Sequence, residues 1–166
     1  MQNYKINLNN FYMLKYIDTQ VTFAEIPDEI SLCINISNCP IRCNGCHSQH
    51  LWGNIGEPLT ESSLSLLIEK NTGVTCVCFM GGDMEADEVN RLAGHIRQTY
   101  PHLKIGWYSG QEWFSIFAEY KNFDYLKLGP YIKKLGGLAS PKTNQRLYKV
   151  DGYILRNITS RFLKMR

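Results

Sequence analysis

Residues 74–83 read Val74-Thr-Cys-Val-Cys-Phe-Met-Gly-Gly-Asp83, a run that is β-branched and apolar on both faces and then breaks off at Gly-Gly-Asp. A strand covered on both sides, as in a parallel sheet, has this composition, and the glycines end it. Working upstream, Thr60 is placed to cap a helix whose Leu64, Leu67 and Ile68 fall at helical spacing, with Leu59 positioned to staple against Leu64 and Asn71-Thr-Gly73 at the far end. Before it, Ile30-Ser-Leu-Cys-Ile-Asn-Ile36 alternates apolar and polar residues, which predicts a strand with one apolar face. Earlier still, Tyr12–Ile17 and Val21–Phe23 carry β-type residues with Asp18-Thr-Gln20 as a turn, predicting a hairpin or irregular edge.

Downstream, Val89, Leu92, Ala93 and Ile96 mark a second helix closed by Tyr100-Pro101. Lys104–Tyr108 reads as a third strand, followed by Ser109-Gly110 and a helix carrying Trp113, Phe114, Ile116, Phe117 and Tyr120. Tyr125–Leu128 is a fourth strand ending at Gly129-Pro130. Residues 131–143 lack periodicity, and 146–150 and 152–155 supply short edge strands. Alternation of strand and helix predicts an α/β fold with right-handed crossovers and a mostly parallel sheet.

A chain of 166 residues with 44% hydrophobic and 20% charged residues suits one soluble domain over 1–166. A net charge of +3 and a pI of about 8.5 are too mild to indicate nucleic acid, and the basic stretch Arg161–Arg166 reads as a solvated end. Met1–Asn10 lacks the continuous apolar stretch of a signal peptide, and no apolar run approaches the roughly 20 residues that span a bilayer. These features predict a cytoplasmic protein without membrane contact, with its thiols reduced.

The run Cys39-Pro-Ile-Arg-Cys43-Asn-Gly-Cys46 places three thiols on a short loop directly after a strand. Thiolates at this spacing hold three irons of a cubane iron–sulfur cluster and leave the fourth iron open. A closed zinc site, completed by His47 or His50, is the competing arrangement, although structural zinc usually draws on two separated knuckles and the chain has no second pair at suitable spacing. Loops after the carboxyl ends of parallel strands converge on one rim, so the cysteine loop, Gly81-Gly82-Asp83 and Tyr108-Ser109-Gly110 are expected to share one site. Cys33, Cys76 and Cys78 lie within strands and read as small core residues, and His95 and His102 as ordinary helix and loop residues.

These motifs together resemble the radical S-adenosylmethionine superfamily. Within it, Asn38-Cys-Pro-Ile-Arg-Cys-Asn-Gly-Cys-His47, Trp52, Phe79-Met-Gly-Gly-Asp83 and Asn144-Gln-Arg146 are most similar to the activating enzymes of anaerobic (class III) ribonucleotide reductases. The resemblance implies an incomplete parallel (βα) barrel and a [4Fe–4S] cluster held by Cys39, Cys43 and Cys46. It implies S-adenosyl-L-methionine at the open iron, cleaved reductively to a 5′-deoxyadenosyl radical that installs a glycyl radical on the reductase. A flavodoxin or ferredoxin would supply the electron. Cluster and cofactor carry the chemistry, with no separate catalytic side chain.

The resemblance further implies that Gly81, Gly82 and Asp83 meet the methionine amino group, Gly82 by close backbone approach. Gly45, Cys46 and His47 correspond to the adenine side, and Tyr108 and Ser109 to the ribose or methionine part. Alternatives within the superfamily are an activase of another glycyl-radical enzyme, such as the pyruvate formate-lyase type, or a small-molecule maturase.

Overall fold

The computed structural model describes residues 13–116 and 118–164. The expectations for Met1–Asn10, for Tyr12 at the start of the first expected strand, for Phe117 and for the last two residues fall outside them. Eight strands form one sheet: β1 (Lys15–Thr22), β2 (Ser31–Ile36), β3 (Glu57–Pro58), β4 (Cys76–Met80), β5 (Lys104–Tyr108), β6 (Tyr125–Leu128), β7 (Arg146–Asp151) and β8 (Ile154–Asn157). Their spatial order is β3-β1-β2-β4-β5-β6-β7-β8, so the sheet is open and β3 and β8 form its two ends. Only β2, β4, β5 and β6 run parallel to one another, and every pairing outside them is antiparallel. The sheet is therefore mixed α/β rather than mostly parallel, and it does not close into a barrel.

Two helices, α1 (Glu61–Lys70) and α2 (Ala86–Thr99), connect β3 to β4 and β4 to β5. Helix α1 begins as its sequence specifies. Thr60 Oγ1 accepts the Ser63 N–H at 3.1 Å and Ser63 Oγ accepts the Thr60 N–H at 2.8 Å, a reciprocal cap that satisfies two otherwise orphaned donors. Leu59 and Leu64 bury together beneath it.

Alternation along the strands sorts side chains to two faces. Leu32, Ile34, Val77, Phe79, Ile105, Trp107 and Leu126 pack with Leu64, Val89, Leu92 and Ile96 in the helix-covered core. Cys33, Cys76, Cys78, Tyr125 and Leu147 occupy the other face with Ile26 and Phe162. The structural assignment of Cys33, Cys76 and Cys78 thus agrees with the packing.

Three expectations require correction. The turn at Asp18-Thr-Gln20 does not form; β1 runs through it, with an irregularity between Tyr16 and Asp18 in the pairing with β2. Because β3 covers only the Lys15–Tyr16 end, the rest of β1 is an edge strand among the described residues. Polar residues are tolerated on such an edge, and Asn35 on β2 donates from its side-chain amide to Asp18.

The helix expected after Gly110 is also absent among the described residues, which form an irregular segment and a single 3-10 turn at Tyr120–Asn122. The backbone that would start it is committed elsewhere. Ser109 Oγ donates to Asp83 and accepts the Gln111 N–H, while the Gln111 carbonyl accepts the Gly129 N–H at 2.7 Å. The aromatics then diverge: Phe114 stacks on Tyr120 and meets Trp107 and Phe123 edge-on, whereas Trp113 is 76% and Ile116 90% exposed. Finally, the basic terminal stretch is partly docked, with Phe162 buried and Arg161 paired with Asp28 at 2.6 Å.

Candidate functional site

The cysteine loop leaves β2 through Asn38, and the backbone N–H groups of Asn38 and Cys39 donate to the carbonyls of Gly53 (2.9 Å) and Leu51 (3.0 Å). Three residues in this stretch adopt left-handed backbone: Asn38 (φ 62°), Arg42 (φ 48°) and Gly45 (φ 78°). That curls the chain tightly enough for Cys39, Cys43 and Cys46 to line one cavity of about 210 Å³, each half-buried and unbridged. Cys43 Sγ accepts the Tyr131 N–H and Cys46 Sγ accepts the Ser48 N–H, both at 3.3 Å.

The cavity floor is a single register row across the four parallel strands. Asn35 pairs with Met80, Met80 with Tyr108, and Tyr108 with Lys127, and all four line the cavity. Since these are carboxyl-end residues, the convergence expected of the strand-end loops is what the structure displays. Gly81, Asp83, Ser109 and Gly110 complete that rim.

Asp83 bridges two of the loops. One carboxylate oxygen accepts from Ser109 Oγ and the other accepts the Gly110 N–H at 2.9 Å. Burial raises its pKa, and the two hydrogen bonds and the Lys127 charge oppose that rise without cancelling it. Lys127 is itself buried, donating to the carbonyls of Gly129 (2.6 Å) and Ser109 (3.3 Å). Burial pulls its pKa down to about 8, against the attraction of Asp83, Cys43 and Cys39.

Gly81 lines the cavity with φ 102°, and its carbonyl accepts from Trp107 Nε1 at 2.8 Å. Gly82 faces the other way. A Cβ there would meet Val89 Cγ2 at 2.5 Å, with Ile36 and Leu14 next nearest, so helix α2 requires this glycine to be small. Its close approach is thus to core side chains. Tyr108 also anchors the floor, its hydroxyl donating to the Glu25 carbonyl.

Gly45 and His47 do not line the cavity. A Cβ on Gly45 would crowd Lys133 at 3.1 Å, and His47 rests against Tyr131 with ring centroids 5.3 Å apart. Of Asn144-Gln-Arg146, Gln145 reaches the cavity, whereas Asn144 donates to the Pro130 carbonyl and Arg146 to the carbonyls of Thr143 and Gln145, as in a polar turn.

Sequence reasoning passed over Lys127 and Tyr131 as site residues. The signal for Lys127 was present, because a lone ammonium within Tyr125-Leu-Lys-Leu128 is out of place unless its strand end meets polar partners.

The donor set suits a cluster. Three thiols face one cavity, and two already accept backbone N–H groups. Among the described residues no three Cys, His, Asp or Glu side chains stand close enough to share a single metal ion.

A larger groove of about 760 Å³ adjoins this cavity and shares Asp83 with it; Met84, Asp87, Trp113 and Ile116 line it. No helix among the described residues is long and apolar enough to cross a membrane.

A sequence profile described as 4Fe-4S single cluster domain matches residues 30–150. No curated protein and no solved structure gives a significant match.

Proposed function

The chain belongs to the 4Fe-4S single cluster domain family, and from that premise we propose that it is a radical S-adenosylmethionine enzyme activating an anaerobic ribonucleotide reductase. The observation that carries this reading is the meeting of Cys39, Cys43 and Cys46 with the loops of Gly81–Asp83 and Ser109–Gly110 around one cavity. The chemistry that the cluster would supply when bound is one-electron reductive cleavage of S-adenosylmethionine to methionine and a 5′-deoxyadenosyl radical, which would abstract a hydrogen atom from a glycine of the reductase. In this reading the four parallel strands are an incomplete (βα) barrel.

The chain's own residues bind and orient. Cys39, Cys43 and Cys46 would hold the cluster, three thiolates for a four-iron cubane. Backbone of Gly81 and the carboxylate of Asp83 would receive the methionine amino group, and the buried Lys127 ammonium would offset the charge of the methionine carboxylate. Asp83 is held for that task by Ser109 and Gly110. Gly82 contributes by letting α2 close against the loop. Tyr108 and Ser109 line the cavity and would meet the ribose or methionine part, while Gly45 and His47 would act on the adenine side only through the loop's backbone path.

The adjoining groove supports a macromolecular substrate over a small-molecule one. Trp113, Ile116 and Met84 are exposed apolar residues on a surface continuous with the cavity through Asp83, where a glycine-bearing segment of a partner protein can lie. A flavodoxin or ferredoxin is the proposed electron donor, and the protein's place is the cytoplasm.

Anaerobic reconstitution tests the reading. Iron and sulfide near four each, cleavage of S-adenosylmethionine by the reduced protein, and a glycyl-radical signal on the reductase are expected. One equivalent of zinc without sulfide would overturn it. A radical formed on another glycyl-radical enzyme but not on the reductase would reassign the partner.

A further inference from the structure

Trp52 lines the cluster cavity, and its indole N–H is buried yet has no acceptor among the described residues. Unsatisfied buried donors are rare in folded proteins and costly when left so, which makes each a pointer to an acceptor. The same cavity holds an unmatched acceptor. Cys43 Sγ receives the Tyr131 N–H and Cys46 Sγ the Ser48 N–H, whereas Cys39 Sγ receives no donor among the described residues.

The two orphans are neighbours through the backbone. Residues 51–53 are laced to the cysteine loop by Cys39 N–H to the Leu51 carbonyl (3.0 Å) and Asn38 N–H to the Gly53 carbonyl (2.9 Å), bracketing Trp52 on both sides. A neutral thiol is a weak acceptor, but an iron-bound thiolate is charged and draws donors strongly.

We propose that Trp52 Nε1–H donates to the Cys39 sulfur of the bound cluster, making Trp52 a positioning residue that completes one N–H donor for each ligating cysteine. The inference rests on the cluster reading above. Hydrogen bonds to ligand sulfurs stabilise the more negative, reduced cluster and raise its potential. Trp52 therefore eases the one-electron reduction on which the proposed chemistry depends.

The test uses the full chain, reconstituted anaerobically as wild type and as Trp52→Phe, which keeps an aromatic ring and removes the N–H. Iron and sulfide content should be equal in the two. In a potentiometric titration followed by electron paramagnetic resonance, the ratio of reduced to oxidised cluster at a fixed potential should fall about tenfold in the variant, a midpoint lower by about 59 mV for one electron. An unchanged midpoint with a full cluster in both proteins would overturn the inference.

Should the variant fail to fold, wild-type protein carrying ¹⁵N-labelled tryptophan keeps the inference testable. Its reduced cluster should show hyperfine coupling to an indole nitrogen, and absence of that coupling would overturn it. Wild-type protein that binds no iron and sulfide would instead overturn the cluster reading itself.

Discussion

Gly82→Ala tests whether this glycine serves the core or the cofactor. The residue sits at φ 89°, and an added Cβ would lie 2.5 Å from Val89 Cγ2, 3.4 Å from Ile36 Cδ1 and 3.5 Å from Leu14 Cδ2. Left-handed backbone costs an alanine about 1–2 kcal/mol, and forcing a methyl into a packed core costs about 1–3 kcal/mol. The side chains it meets are fully buried and cannot swing clear. The expected loss is therefore about 3–4 kcal/mol, a large share of the roughly 5–15 kcal/mol that holds a domain folded.

Urea unfolding of the cluster-free, reduced protein measures it. With a slope of about 2 kcal/mol per molar, the midpoint should fall by about 1.5–2 M. Val89→Ala removes the clashing methyl, so Gly82→Ala combined with Val89→Ala should be less destabilised than the sum of the single changes by about 1–2 kcal/mol, in the range for residues in contact. Additive effects, or a cluster-free Gly82→Ala protein as stable as wild type, would refute the argument and return Gly82 to the cofactor.

Three other outcomes are expected. Cys43→Ala should lose cluster assembly and S-adenosylmethionine cleavage together, scored by iron, sulfide and 5′-deoxyadenosine; retained cleavage would contradict the ligand assignment. In the cluster-free protein, Lys127 has a pKa near 8 when folded and an ordinary, higher one when unfolded, so the unfolded chain binds more protons between them. Its contribution is thus present above the unfolded pKa and lost as pH falls through 8, a difference on the order of 3 kcal/mol that Lys127→Met should flatten in unfolding measured from pH 7 to 10.5. Trp113→Ala and Ile116→Ala, at exposed positions, should leave stability within about 0.5 kcal/mol and S-adenosylmethionine cleavage unchanged while lowering glycyl-radical yield on the partner; unchanged yield would remove the groove from the docking surface.

Strand limits at Lys104–Tyr108 and Tyr125–Leu128 were readable because β-type residues cluster there, the first between Pro101 and Ser109-Gly110 and the second ahead of Gly129-Pro130. The start of α1 was readable because Thr60 and Ser63 cap locally. The rim itself followed from the rule that loops after parallel strands converge. What escaped notice depends on partners distant in sequence. The helix at 111–120 had the right periodicity, but Asp83 and Gly129 claim Ser109 and Gln111 and deny it a start. The turn at Asp18-Thr-Gln20 had turn composition, but pairing with β2 overrides it. Lys127 entered the site only through the register that sets it beside Tyr108, and the role of Gly82 became visible only with Val89 in place.

The sheet divides the six cysteine thiols of this chain into two chemical populations. Cys39, Cys43 and Cys46 are partly open to solvent, whereas Cys33, Cys76 and Cys78 are buried, and burial drives the pKa of Cys76 and Cys78 upward, away from the reactive thiolate. An alkylating reagent weighed by intact-mass spectrometry therefore counts two properties at once. Three adducts report a folded chain with an empty loop, none a loop already bound to iron, and six a chain whose core has opened.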